Sequence, residues 1–173
     1  MIKEVKLIRN KQYSNKLKIF YFEEKKVKLR GYIAFHHTKG VFSTGGTRLY
    51  NYKNKNDALT DVLRLAKAMN SKCCISGVPF SGGKAVIIGT ADLKSINFLR
   101  SYAKIIDTFK GKFTTGTDVG ISDEDTRRRN QTADLPAGRF LSARRIAISG
   151  APPFVLGGAS REPALGPGTR RQN

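Results

Sequence analysis

Residues 77–88 read Gly-Val-Pro-Phe-Ser-Gly-Gly-Lys-Ala-Val-Ile-Ile, so that a glycine-rich segment runs directly into an apolar one. Proline and paired glycines cannot continue a helix, and residues 77–83 are therefore predicted to form a loop. Residues 84–88 are short and mostly apolar, which is typical of a buried strand. A lysine, Lys84, thus stands at the start of a strand that otherwise belongs in a protein interior.

This segment has a superficial similarity to a Walker A phosphate-binding loop. Its lysine comes one position too late after Gly82, no Ser or Thr follows that lysine, and the loop leads into a strand instead of a helix. A G-x-G-x-x-G dinucleotide fingerprint does not occur anywhere in the sequence. His36 and His37 are adjacent and have no acidic or thiol ligands at metal spacing, which argues against a zinc site.

Two amphipathic helices are predicted around the segment. The first begins near Asn56, which is a suitable N-cap, and its apolar stripe ends around Asn70. The second runs from Ser95 to Phe109, and Gly111 follows as its stop.

Strands are predicted mainly before the first helix. Apolar and charged residues alternate in residues 3–8, 16–22 and 27–35, and their lysines are expected to form the wet face and the edge of an antiparallel sheet. Residues 40–52 contain three glycines and are predicted to be a turn or a close-approach segment. Residues 113–115 are predicted to be a brief strand, which leads into another glycine-containing loop.

These elements predict an α/β fold, a mixed sheet with flanking helices, over residues 1–126. Residues 127–173 have a different composition: they hold 9 Arg and no Lys, whereas the earlier residues hold 18 Lys and 5 Arg. The second segment is predicted to be an irregular or disordered Arg/Gly/Pro/Ala-rich tail. We interpret it as frameshifted or foreign, and a native basic tail is the alternative.

The net charge of +19 would suit nucleic acid or an anionic surface as partner. The charge is split between sheet lysines and tail arginines, and no aromatic–basic interleaving occurs, so a nucleic-acid binder is the least favoured reading. The two cysteines are direct neighbours, and neither a signal peptide nor a membrane span is present in the sequence. A cytoplasmic location without membrane partners is expected.

Lys72, Lys84 and Asp118 lie in or beside segments that periodicity does not explain. Two lysines confined in a poorly hydrated cleft would depress the pKa of an amine toward that of a general base, and a nearby aspartate could exchange protons with it. The alternative is that both lysines are solvated and Asp118 only caps a turn. Spacing alone favours neither possibility.

Six sequence blocks in one order resemble the glutamate/leucine/phenylalanine/valine dehydrogenase family, the amino-acid dehydrogenases. The resemblance covers roughly residues 30–125, and its blocks are Gly45–Arg48, Ala58–Met69, Lys72, Pro79, Gly82–Ile88 and Asp118–Gly120. It implies the substrate-binding and dimerisation domain of an enzyme that uses NAD or NADP to convert an L-amino acid into a 2-oxo acid and ammonia. It also implies a homo-oligomer.

The same resemblance implies roles for individual residues. Lys84 would activate water and Asp118 would relay protons to the α-amino group. Lys72 would pair with the substrate α-carboxylate. The remaining substrate contacts would come from Gly45, Gly46 and Met69.

The sequence departs from the family pattern at Ser81, at residues 73–75 and at Thr117, which leaves the choice of amino acid open. It also contains no Rossmann fingerprint, so the cofactor domain is expected to be absent from these 173 residues. The predicted function is therefore a fragment of an amino-acid dehydrogenase that is inactive alone. The alternative is a non-catalytic amino-acid-binding or oligomerisation module.

Overall fold

The structure is a computed structural model that describes residues 1–5, 17–37 and 42–130, with side chains as far as residue 126. The expectations for residues 6–16, 38–41 and 131–173 lie outside this described part. Residues 127–130, the start of the predicted irregular tail, are instead helical. Among the described residues, no helix combines the length and the apolar character that a membrane crossing requires.

In the described part of the chain, six strands form one sheet, and three α-helices accompany it. The strands are β1 (Ile2–Glu4), β2 (Leu17–Glu24), β3 (Leu29–His36), β4 (Ser43–Tyr50), β5 (Ser81–Ile88) and β6 (Phe113–Thr117). The helices are α1 (Lys55–Ile75), α2 (Ile96–Asp107) and α3 (Asp123–Asn130).

The strand order is β1-β2-β3-β5-β4-β6, which makes the sheet mixed. Antiparallel pairing joins β1 to β2, β2 to β3, and β3 to β5. Strand β4 pairs parallel with both β5 and β6. The three parallel strands, β4, β5 and β6, are connected through α1 and α2, as crossover connections between parallel strands require. The predicted α/β fold with a mixed sheet and flanking helices is confirmed.

Helices cover both faces of the sheet. Helix α1 packs on one face, where Tyr32 and Ala34 of β3 contact its apolar stripe. Helix α2 packs on the other, where Leu29, Ile33 and Phe35 of the same strand enter the larger core. We call these the α1 face and the α2 face.

The expectation of a wet face is therefore wrong for β3, since its central residues are buried on both sides of the sheet. The sequence of β3 suggested one buried and one wet face because the residues on its α1 face include Ala34 and Tyr32, which are less apolar than the residues on its α2 face. Both of these residues nevertheless belong to the core on the α1 face. Exposed lysines do occur on the outer part of the sheet, for example Lys3 and Lys18. There the edge-protecting role of charge remains a reasonable physical account.

Of the turn or close-approach segment predicted over residues 40–52, the turn is wrong, because residues 43–50 form strand β4, whereas the close approach is found at Gly45. The glycines that suggested a turn serve strand packing instead. A Cβ atom on Gly45 would overlap the carbonyl oxygen of Gly83 on the neighbouring strand β5. Glycine is needed there because two backbones approach closely, with no need for an unusual backbone conformation.

The ends of α1 and β5 differ from the predicted ones for a related reason. Helix α1 is capped by Asn54, whose side chain accepts a hydrogen bond of 2.9 Å from the Asp57 N–H, and it continues past Asn70 to Ile75. The Asn70 side chain accepts a hydrogen bond of 3.0 Å from the Gly82 N–H. Strand β5 therefore starts at Ser81, inside the predicted loop, because tertiary contacts override the local preference of its glycines.

Candidate functional site

The site lies on the α1 face, at the end of the sheet where β5, β4 and β6 run parallel. Lys84 projects from β5 and Asp118 directly follows β6. Between them lies Gly46 of β4, at which a Cβ atom would come within 3.0 Å of Lys84 Nζ and 3.2 Å of Asp118 Cβ. The absent side chain of Gly46 thus leaves room for the two charged groups to meet.

Lys84 Nζ lies 3.2 Å from Asp118 Oδ2. The lysine side chain is 10% exposed and the aspartate side chain 23% exposed. Burial lowers the pKa of Lys84 below its ordinary value; Asp118 opposes this effect, whereas the positive charges of Arg48 and Lys72 add to it. The pair therefore combines a lysine that releases its proton more readily than usual with an adjacent proton acceptor.

Arg48 joins this pair to a second aspartate. Its Nε lies 3.0 Å from Asp118 Oδ2, and its terminal nitrogen lies 3.0 Å from Asp61 Oδ2 on helix α1. Asp118 is thus shared by two cations, Lys84 and Arg48. We call Lys84, Asp118 and Arg48 the charged cluster.

Asp61 is itself held by three donors. The Tyr52 hydroxyl donates to Asp61 Oδ2 at 2.7 Å, and Arg64 donates to Asp61 Oδ1 at 2.7 Å. Burial acts to raise the pKa of Asp61, but hydrogen bonds from Tyr52 and Arg64 and the charge of Arg48 outweigh it and lower that pKa. Asp61 is therefore a fixed anion that orients the guanidinium of Arg48.

Lys72 and Met69 lie on the last turns of α1, close to the start of β5. Lys72 is exposed, and its charge is near enough to lower the pKa of Lys84. Met69 is half-buried, and a Cβ atom on Gly82 would overlap the backbone of Met69 and Asn70. This contact brings the end of α1 directly against the strand that carries Lys84.

Gly45 faces the opposite side of the sheet from Gly46, because successive residues of a strand alternate. Its backbone packs on Gly83 of β5. The structure therefore brings Lys84, Asp118 and Gly46 into contact, leaves Lys72 and Met69 beside them, and gives Gly45 a supporting position behind them.

Sequence reasoning missed Arg48, Asp61, Tyr52 and Asn70. Arg48 follows Gly46 by two residues, so a strand at residues 43–50 would have predicted that both face the same side. The predicted turn concealed that relation. For Asp61 and Tyr52 no local signal exists, because their contacts join a helix and a loop to a strand.

Gly45 and Gly82 leave no room for the pyrophosphate of a nicotinamide dinucleotide. Glycines that cradle a pyrophosphate leave space for it at a helix N-terminus. Here protein backbone fills the positions that side chains would take at Gly45 and Gly82. Within the described segments, no group of three His, Cys, Asp or Glu residues is arranged for a metal ion either.

The chain is similar to known amino-acid dehydrogenases in sequence and in fold. Residues 15–134 match the family model described as Glu/Leu/Phe/Val dehydrogenase, dimerisation domain. Phenylalanine dehydrogenase of Lysinibacillus sphaericus is 44% identical over 98 residues, which cover 56% of this chain and 26% of that protein. L-tryptophan dehydrogenase of Nostoc punctiforme is 35% identical over 120 residues, which cover 69% of this chain and 34% of that protein.

The crystal structure of L-tryptophan dehydrogenase from Nostoc punctiforme superposes with a TM-score of 0.62 at 36% identity. The superposition covers 65% of this chain and 34% of that one. The chain thus spans about a quarter to a third of the length of the curated relatives that it matches.

Proposed function

Since the chain belongs to the Glu/Leu/Phe/Val dehydrogenase family, we propose that it carries the substrate-binding and proton-transfer part of an amino-acid dehydrogenase. The reaction would be the oxidative deamination of an L-amino acid to a 2-oxo acid and ammonia, with NAD or NADP as hydride acceptor. The observation that carries the proposal is the contact of 3.2 Å between Lys84 Nζ and Asp118 Oδ2 in a mostly buried setting.

Lys84 is proposed as the general base that activates water. A base must give up its own proton near neutral pH, and burial together with the charges of Arg48 and Lys72 lowers the pKa of Lys84 in that direction. Asp118 lies within proton-transfer distance of the same amine. It is therefore suited to pass protons to and from the α-amino group of the substrate.

Lys72 is proposed to bind the α-carboxylate of the substrate. It is an exposed cation at the end of α1, and a point charge of this kind suits a carboxylate. Met69 and Gly46 are proposed to border the substrate, and Gly45 is proposed to support this border from behind through its contact with Gly83. Since relatives are named phenylalanine, L-tryptophan and valine dehydrogenases, we propose an apolar L-amino acid.

Protein backbone fills the space beside Gly45 and Gly82, and the sequence contains no G-x-G-x-x-G dinucleotide fingerprint. We therefore expect this 173-residue chain alone to reduce no NAD or NADP above a no-protein control. We also propose that it resides in the cytoplasm and forms a homo-oligomer through this domain. Light scattering on the purified chain measures the latter.

Binding of L-phenylalanine to the chain tests the proposal directly. Isothermal calorimetry is expected to detect saturable binding of L-phenylalanine or L-valine. Lys72→Met is expected to weaken the binding about tenfold, because a charge-assisted hydrogen bond to the carboxylate is lost. Lys67→Met serves as the matched control, because Lys67 is another exposed lysine of α1.

The proposal fails if no L-amino acid binds, or if Lys67→Met weakens binding as much as Lys72→Met. Equal effects would mean that only the general positive charge of α1 attracts the amino acid. Saturable binding that depends on Lys72 together with a lack of NAD reduction supports the proposal for this chain.

A further inference from the structure

Arg48 occupies an unusual position in the charged cluster, because it does not touch the proposed base but shares that base's partner. Lys84 Nζ and Arg48 Nε both lie within 3.2 Å of the same atom, Asp118 Oδ2. A carboxylate in a mostly buried site needs a cationic partner at all times, since removal of one partner leaves a costly unpaired charge. If Lys84 were the sole partner, it could not lose its proton without leaving Asp118 unpaired.

We propose that Arg48 is a positioning residue whose guanidinium, fixed by Asp61, keeps the Asp118 carboxylate paired and in place whether or not Lys84 carries a proton. The inference rests on the proposed function for the role of Lys84 as base. A guanidinium suits this task because it stays protonated at every accessible pH and offers several donors in a rigid plane.

The contacts of Arg48 support this role. Its two nitrogens bind two different aspartates at 3.0 Å each, so the side chain cannot turn toward Asp118 or away from it without losing a bond to Asp61. Asp61 in turn is held by Tyr52 and Arg64. The guanidinium is therefore anchored from the helix, on the side remote from Lys84.

The charged groups that act on Lys84 come from three elements. Asp118 follows β6 and favours the protonated amine, whereas Arg48 on β4 and Lys72 on α1 disfavour it. The neighbouring strand β3 contributes Ala34, which is neutral and lies directly opposite Lys84. Removal of Arg48 would act twice, because Lys84 would lose a repelling charge and would become the main partner of Asp118.

The test is a titration of Lys84 in the whole chain by competitive acetylation. Trace acetic anhydride modifies only unprotonated amines, and mass spectrometry gives the extent of modification of Lys84 relative to the exposed Lys104 at each pH. The readout is the midpoint of the pH curve, which a change in access to Lys84 would not move. Arg48→Gln is expected to raise that midpoint and to reduce modification of Lys84 about tenfold near pH 8.

Three further variants separate positioning from a general loss of structure. Arg64→Gln is the matched control: it also removes an arginine from Asp61 but not from Asp118, and it should leave the Lys84 curve within about twofold of the wild-type curve. Arg48→Lys should raise the Lys84 midpoint by less than Arg48→Gln does, since one ammonium keeps a positive charge but cannot span both aspartates. Asp61→Asn removes the anchor of Arg48, so Asp118 should rely more on Lys84 and the Lys84 midpoint should rise, by less than in Arg48→Gln; loss of the Asp61 charge alone would lower that midpoint.

The inference is overturned if Arg48→Gln leaves the Lys84 midpoint unchanged, or if Arg64→Gln shifts it as much. If Arg48→Gln does not fold, Arg48→Lys and Asp61→Asn decide: a midpoint that rises in both supports positioning, and any other pattern overturns it. The readout requires neither substrate nor cofactor. Failure of amino-acid binding would therefore count against the proposed function alone.

Discussion

The strands β4 and β6 take part in two polar clusters, one on each face of the sheet. On the α2 face, Thr47 Oγ1 lies 2.7 Å from the Tyr102 hydroxyl and 2.8 Å from Thr115 Oγ1, and all three side chains are at most 2% exposed. We call these three residues the hydroxyl cluster. On the α1 face lies the charged cluster, in which Arg48 is the next residue of β4 after Thr47 and Asp118 directly follows the end of β6.

The two clusters solve the problem of polar groups in an interior in different ways. The hydroxyl cluster is neutral and sealed, and its members hydrogen-bond to one another, so it stabilises the fold and cannot exchange a charge. The charged cluster remains 10–23% exposed and contains a lysine whose charge burial disfavours. A cluster in which burial disfavours the charged form of a lysine contributes little stability. Such a shifted pKa is typical of a functional site.

The largest expected effect comes from Gly45→Ala, which should destroy both clusters together. The added Cβ would overlap the Gly83 carbonyl oxygen, and only separation of β4 from β5 could relieve that overlap. We expect a loss of about 3 kcal/mol or more in the free energy of unfolding. Urea denaturation followed by circular dichroism measures it.

Gly77→Ala is the matched control for this substitution. Gly77 has a φ of +64° and no atom within 4 Å of an added Cβ, so alanine there should cost only about 1 kcal/mol of backbone strain. If the two variants lost equal stability, close approach of β4 and β5 would not be the reason for glycine at position 45.

Replacement of Thr47 by Val should separate the two clusters, because it acts on one face alone. The change keeps the shape of the side chain but removes two buried hydrogen bonds, to Tyr102 and to Thr115. A destabilisation of about 1–3 kcal/mol is expected. The acetylation midpoint of Lys84, on the other face, should not move.

Thr114→Val provides the comparison for Thr47→Val. Thr114 is half-buried, and its hydroxyl makes only a long hydrogen bond of 3.4 Å to the Ser43 carbonyl, so its loss should cost less. A shift of the Lys84 midpoint in Thr47→Val would show that the two faces are coupled and that the hydroxyl cluster belongs to the site.

An element could be predicted from the sequence where its contacts are local, and could not where its contacts join residues far apart in the sequence. Helix α2 could be predicted because its signals are local: Ser95 caps it, its apolar stripe is regular, and Gly111, with a φ of +81°, follows its end. Strand β4 could not, because its glycines serve contacts with β5, and a glycine needed for close approach looks the same in sequence as one needed for a turn.

The same limit applies to the site. The pattern of blocks that resembles a dehydrogenase family singled out Lys84 and Asp118, and the structure brings them within 3.2 Å. Arg48 was inside one of those blocks, but its partners Asp61 and Asp118 are 13 and 70 residues away in sequence. Contacts between elements of that separation leave no periodic signal.

The smallest expected effect concerns the charged cluster itself: Lys84→Met should not destabilise the chain at neutral pH and should stabilise it by about 1 kcal/mol. The reason is that Asp118 keeps Arg48 as its partner, while the charge that burial disfavours is removed. The control is Lys94→Met, because Lys94 Nζ lies 2.8 Å from Asp125 Oδ2 and no second cation contacts that carboxylate among the described side chains. Lys94→Met should therefore lower stability.

The pH dependence gives this prediction its sign. Folding lowers the pKa of Lys84, so between that lowered value and the ordinary lysine value the unfolded chain binds more protons than the folded one. The free energy of unfolding therefore rises with pH across that window. Below the window, the cost of burying the charged Lys84 is fully present. The advantage of Lys84→Met over the wild type, measured by urea denaturation at a series of pH values, should shrink as pH approaches the ordinary lysine pKa. A Lys84→Met variant that is less stable than the wild type at neutral pH would instead make the Lys84–Asp118 contact a structural ion pair, and the contrast between the two faces of the sheet would fail.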